Sequence, residues 1–301
     1  MKNSFFYILL TAVLFTTLEP VSKLIAADVS PLTMTFIRFF IGGAMLLPFA
    51  IAKLRKNNMK LSAKDFITLA LLGVLCICIS MLMLQVAVLK ADSPALIAII
   101  FCSNSVFTIL LATVFLKEKM TVKKALAMVL CIAGVLVLAD FSSGTNVVSI
   151  LLAVGAALTF SLYTVLSKKY SAKLSGVIQT GFSFFFGSLV LLVILLFTGE
   201  SIFSGLTTGK TIGIMLYLGV AVTGLGYWAF FRAMEKSSAT AASTAFFIKP
   251  ILTPFAAFFI NGIAPAPKVF AALILVVAGS VLASMPTKQM ESSEQHTQTI
   301  N

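Results

Sequence analysis

Leu18-Glu19-Pro20-Val21-Ser22-Lys23 lies inside an apolar run that extends from about Ser4 to Ala27. A run of that length crosses the hydrocarbon core of a bilayer as a helix. Glu19 is the only carboxylate well inside any apolar segment of the chain. An ionised carboxylate in hydrocarbon is costly, so Glu19 is expected to face the bundle interior, a partner or water. The bland alternative is a neutral Glu hydrogen-bonded to a neighbouring helix. Pro20 cannot donate a helical hydrogen bond and crowds the preceding turn, so a kink is predicted there. Bent or broken helices are where membrane carriers place binding groups.

The rest of the chain is of the same character. Of its 301 residues, 59% are hydrophobic and only 11% charged, with mean hydropathy +1.07. A soluble domain of that length cannot cover so much apolar surface, and the composition predicts an all-α membrane protein. About ten segments have spanning length, allowing for tilt. They run roughly over 4–27, 31–52, 66–89, 94–116, 124–140, 148–167, 176–198, 211–231, 239–260 and 268–285. Met1-Lys2 and the apolar run imitate a signal peptide, but the run is too long for one and reads as a retained first helix. The polar tail, 287–301, is predicted to be disordered and cytoplasmic. Cys76, Cys78, Cys102 and Cys131 all fall in apolar segments with no His nearby, and read as small packing residues rather than a metal or redox set.

The net charge of +12 is a topology signal. Lys53, Arg55, Lys56, Lys60 and Lys64 fall between the second and third segments. Lys117, Lys119, Lys123, Lys124, Lys168, Lys169, Lys173, Arg232 and Lys236 fall in later loops of the same side, and Lys2 and Lys288 on the two tails. The opposite side holds only Lys90, Lys210 and Lys268. Positively charged loops stay inside, so both termini are expected in the cytoplasm, with the chain in the cell (inner) membrane. This loop distribution excludes nucleic acid as a partner.

The chain also repeats. A shift of 145 residues brings Phe15 onto Phe160, Ser22-Lys23 onto Ser167-Lys168, Phe39-Phe40 onto Phe184-Phe185 and Gly42 onto Gly187. A shift of 146 brings Leu72-Gly73-Val74 onto Leu218-Gly219-Val220 and Phe101 onto Phe247. Each half, 1–140 and 141–286, then holds about five spans, an odd number, so the two must lie in the membrane with opposite orientation. Inverted repeats let two halves exchange conformations and so open a site to alternate sides.

At this point the residues resemble a family. Phe36-Ile37-Arg38-Phe39, Lys90-Ala91-Asp92-Ser93-Pro94-Ala95, Leu116-Lys117-Glu118-Lys119-Met120-Thr121 and Ala133-Gly134-Val135-Leu136 look like one repeat of the EamA family, within the drug/metabolite transporter superfamily. Thr223-Gly224-Leu225-Gly226-Tyr227, Glu235-Lys236-Ser237-Ser238-Ala239, Pro250 and Ala278-Gly279-Ser280-Val281 look like the second. The resemblance implies a ten-helix secondary carrier with both termini inside, often an exporter of amino acids or other small metabolites. The chain departs from the family at Lys249, where members often carry Glu before the proline, and at Asn261-Gly262-Ile263, which lacks the usual Glu.

The candidate site residues are the chemistry-bearing ones at mid-membrane depth. Glu19, Arg38 and Lys249 are the embedded charges, with Lys23 free to snorkel to the surface. Arg38 and Lys249 are both candidate counter-charges for Glu19. The embedded sum of one acid and two bases favours a cavity that attracts a carboxylate. Pro20 and Pro250 are candidate helix breaks. Asn104, Gln85, Tyr163, Tyr227 and Trp228 are weaker candidates, since such side chains equally serve as interhelical glue or as an interfacial belt. Phe182, Phe184, Phe185 and Phe186 read as lipid-facing or packing surface.

The expectation is therefore an alternating-access secondary transporter exporting a small carboxylate-bearing metabolite such as an amino acid, with protons as a candidate coupling ion. The rival is a cation or multidrug/proton antiporter built on Glu19. No enzyme chemistry is expected, because His296 on the tail is the single His and no paired carboxylates occur. No cofactor or metal is expected, and the chain should act among membrane lipids as a monomer or homodimer.

Overall fold

The computed structural model describes residues 2–115, 120–138, 146–170, 173–236 and 245–284. The polar tail and most of the Leu116-Lys117-Glu118-Lys119-Met120-Thr121 turn lie outside the described residues. Within them every regular element is helical. Seven helical rods are long and apolar enough to cross a membrane. Three further apolar stretches, Ala125–Gly134, Ile251–Asn261 and Pro267–Gly279, are shorter and fall where the fifth, ninth and tenth segments are expected.

The first rod is α1 (Lys2–Thr16) followed by α2 (Leu18–Lys23). The interruption at Thr17 falls where Pro20, lacking an N–H, leaves the carbonyl of Thr16 without its helical donor. The second rod is α3 (Pro31–Lys56), whose first turn is held by Ser30 accepting from the Thr33 N–H at 3.2 Å and by Pro31. It closes on Lys53, Arg55 and Lys56, cations suited to a helix C-terminus. The third rod is α4 (Ala63–Gly73), a π-helical stretch (Val74–Met81) and α5 (Leu82–Lys90). The fourth is α6 (Pro94–Cys102) and α7 (Asn104–Phe115), broken at Ser103. Then come α8 (Val122–Leu138), α9 (Val147–Tyr170) and α10 (Gly176–Thr198). The eighth rod repeats the pattern of the third: α11 (Gly209–Leu216), a π-helical stretch (Tyr217–Leu225) and α12 (Gly226–Lys236). The chain ends in α13 (Ala245–Asn261) and α14 (Pro267–Ser284).

The most extensive contacts are α3 on α10 and α8 on α14. Close approach of α4 to α10 depends on two glycines. A Cβ on Gly73 would run into the Ser183 carbonyl, and one on Gly187 into the backbone of Gly73. One large core cluster runs through α1, α3, α5, α6, α9 and α12, and a small one gathers Ala50, Leu69, Leu174 and Ile178 at one end. Phe184 belongs to that large core. It is fully buried, edge-on to Phe39 and Tyr227, so the lipid-facing option does not hold for it.

Candidate functional site

Two helices from opposite ends of the chain bring the central charges together. Glu19 lies on α2 and Lys249 on α13, and the Lys249 ammonium donates to Glu19 Oε1 at 2.5 Å. The two side chains are 0% and 2% exposed. Glu19 Oε2 is buried with no hydrogen-bond partner. The Lys249 ammonium also sits 5.5 Å from the centre of the Phe101 ring, a cation–π distance. A second link joins the same two helices. Asn261 Nδ2 donates to the carbonyl of Pro20 at 2.9 Å, and so satisfies a backbone group in the turns that Pro20 loosens. Lys23 is half-buried and reaches the end of a neighbouring helix. Its ammonium donates to the carbonyls of Leu89 at 2.9 Å and Ala91 at 2.5 Å, where α5 ends.

Beside the pair is a narrow cavity of about 20 Å³, the room of one or two waters on the measure where one water needs roughly 10–15 Å³. Its walls are chiefly apolar, with Phe15, Phe101, Phe160 and Phe246 among them. Lys249 and Arg38 are the cations that reach it, and Thr223 and Tyr227 contribute hydroxyl-bearing side chains. The Thr223 hydroxyl is spent on the Leu218 carbonyl at 2.8 Å, within the second π-helical stretch. Arg38, on α3, is 2% exposed. Its guanidinium lies 4.7 Å from the centre of the Phe39 ring, and its Nε has no hydrogen-bond partner.

The other expected site residues divide. Tyr227 lines the cavity, packed between Phe15 at 4.9 Å and Phe184 at 4.8 Å between ring centres. Tyr163 is buried against Phe160 at 5.8 Å, behind the wall. Gln85 is buried next to the wall residue Leu84, and its Nε2 lacks a partner. Asn104 is buried at the start of α7, where its carbonyl accepts from the Ser161 hydroxyl at 2.6 Å. Trp228 points elsewhere, half-buried and edge-on to Tyr7 at 5.5 Å. α13 runs through Pro250 without interruption, whereas the first rod is interrupted just before Pro20. Composition reasoning passed over Phe15, Phe101, Phe160 and Phe246. The 145-residue shift that pairs Phe15 with Phe160 was the available signal, since both members of that pair are walls.

Comparison with known proteins agrees with this architecture. An uncharacterized transporter of Clostridium kluyveri is 35% identical over 291 residues, 94% of this chain and 93% of that protein. The uncharacterized transporter YvbV of Bacillus subtilis is 26% identical over 276 residues, 91% of this chain and 89% of its own. A crystal structure of another protein superposes with a TM-score of 0.66 at 17% identity, over 94% of this chain and 96% of its own, which speaks for the fold alone. The profile of the EamA-like transporter family matches twice, over residues 2–139 and 147–285. With its several apolar helices, the chain is a multi-pass membrane protein and belongs to the EamA-like transporter family.

Proposed function

We propose that this protein is a secondary active carrier that moves a small carboxylate-bearing metabolite, such as an amino acid, out of the cell by alternating access. The observation that carries this reading is the Glu19–Lys249 pair, buried beside a narrow cavity and joining the first half of the chain to the second. Such a pair is costly to desolvate, and replacing it by apolar residues is often neutral or stabilising. Stability alone is therefore a weak reason for a bundle to carry it.

In this reading ten helices form two inverted repeats, 1–140 and 141–286, in the inner membrane with both termini cytoplasmic. The exchange of contacts between halves supports it. The packing of α5 on α9 is matched by α12 on α1, and that of α7 on α9 by α1 on α13. The π-helical stretches fall at matching places, next to Gly73 and across its repeat partner Gly219. The Lys and Arg bias of the loops supports the orientation.

A cavity with room for one or two waters is too small for a metabolite, and substrate enters when the halves move apart on one side. Glu19 and Lys249 stand on opposite halves, so that movement separates or remakes their contact. A carboxylate parted from its cation in apolar surroundings is favoured as the neutral acid. With Lys249 keeping its own proton over the Phe101 ring, separation takes up a proton at Glu19 and re-pairing releases it, which couples transport to protons. The cation or multidrug antiporter alternative needs Glu19 free for a cation, and the Lys249 contact speaks against it.

The test is Glu19→Gln in reconstituted vesicles. Gln keeps the size and much of the hydrogen bonding but cannot titrate. The expected outcome is a protein that still exchanges substrate but no longer accumulates it against a gradient, with exchange insensitive to pH. Concentrative transport with an unaltered pH profile would reduce Glu19 to a packing residue.

A further inference from the structure

Three basic side chains enter the described helices at membrane depth, and the structure treats them differently. Lys23 is satisfied by backbone carbonyls at the end of α5. Lys249 is satisfied by Glu19. Arg38 makes no ion pair or hydrogen bond among the described residues, although it is 2% exposed and lines the cavity. Its guanidinium lies 4.7 Å from the centre of the Phe39 ring. Guanidinium keeps its charge in proteins, and a buried charge without a partner is unfavourable. The Glu19–Lys249 pair is neutral as a unit, so the site carries one net positive charge, and it sits on Arg38.

We propose that Arg38 is the anion receptor of this cavity, and that the transported molecule is a monocarboxylate with an apolar, ring-sized or branched body. The inference rests on the carrier reading above and narrows its substrate. The planar guanidinium fork matches a carboxylate with two parallel hydrogen bonds. Around it the walls offer Phe15, Phe101, Phe160 and Phe246, which suit an apolar body. They do not suit a polyol or a second acid. The Thr223 hydroxyl is already bonded to its own helix, and the Tyr227 hydroxyl faces the Met81 sulfur at 4.0 Å. A second carboxylate would find no further free cation among the described residues of the wall.

The experiment measures equilibrium binding by calorimetry to the purified full-length protein, with 3-phenylpropanoate, its amide 3-phenylpropanamide, phenylalanine and glutamate. For the wild type, 3-phenylpropanoate and phenylalanine should bind, and the amide and glutamate should bind at least about 10-fold more weakly, since hydrogen bonds to a charged group contribute roughly one to two decades of affinity. Arg38→Gln should abolish the preference for acid over amide, and Arg38→Lys should retain part of it because it keeps the charge but not the fork. Equal binding of acid and amide by the wild type would overturn the proposal without recourse to any variant. So would tighter binding of glutamate, or an undiminished acid preference in Arg38→Gln. The binding readout is independent of proton coupling. Loss of the Arg38 effect with pH-driven transport intact would leave the carrier reading standing, and the reverse result would overturn the coupling alone.

Discussion

Two ion pairs of equal length sit in very different surroundings. Lys249 and Glu19 meet at 2.5 Å with both side chains buried, at 2% and 0% exposure. Lys173 and Asp65 also meet at 2.5 Å, but Lys173 is 55% exposed. Asp65 has other work. It accepts from the N–H and hydroxyl of Ser62 in the capping box that starts α4, and from the Tyr170 hydroxyl at the end of α9. The repeat-related start of α11 has the same capping box built from Thr208 and Thr211, without a charge. The peripheral pair is therefore an addition to a cap that works without it. The central pair has no such substitute, because among the described residues each partner's charged group has the other as its only ion-pair and hydrogen-bond partner. Distance alone does not rank these pairs. What ranks them is what remains when one partner is removed.

That difference is open to measurement, starting with the centre. Glu19→Ala or Lys249→Ala alone should destabilise the protein by about 3–5 kcal/mol, because each leaves an uncompensated buried charge. The double variant should lose clearly less than the sum in a denaturant-unfolding cycle in detergent. Strict additivity would make the central pair no different in kind from the peripheral one. Next, Asn261→Ala should cost about 1–3 kcal/mol by orphaning the Pro20 carbonyl. It should also raise hydrogen exchange locally around Thr17–Leu24, and an unchanged exchange pattern would deny the link. The smallest effects belong to the periphery. Ser62→Ala should cost about 1 kcal/mol through the lost cap. Lys173→Ala should cost less, and what it costs should fade as salt is raised. A Lys173→Ala loss as large as that of Ser62→Ala would make the ion pair, not the cap, the fastening at this end.

Glu19 was legible in the sequence because a lone carboxylate in an apolar run needs no knowledge of neighbours to stand out. Its partner was not. Arg38 and Lys249 both qualified by charge and depth, and the contact that decides between them spans 230 residues. The interruption near Pro20 was legible because a missing N–H acts within its own turn. No such interruption accompanies Pro250, and the break at Ser103 had no proline to announce it. The π-helical stretches Val74–Met81 and Tyr217–Leu225 were equally silent, because one extra residue per turn is settled by how a helix packs.

What the sequence determined by itself was the medium, the class of element and the repeat. Apolar content, loop charge and residue spacing are properties of the chain read along its length, and a bilayer leaves helices as the solution for long apolar runs. What only the tertiary structure decided was the pairing. Which cation neutralises Glu19, which one stays unpartnered, and which aromatic rings enclose the space between them depend on helices distant in the chain meeting at one depth. In an interior of low dielectric, a few ångströms decide whether a charge is compensated or exposed to the cavity.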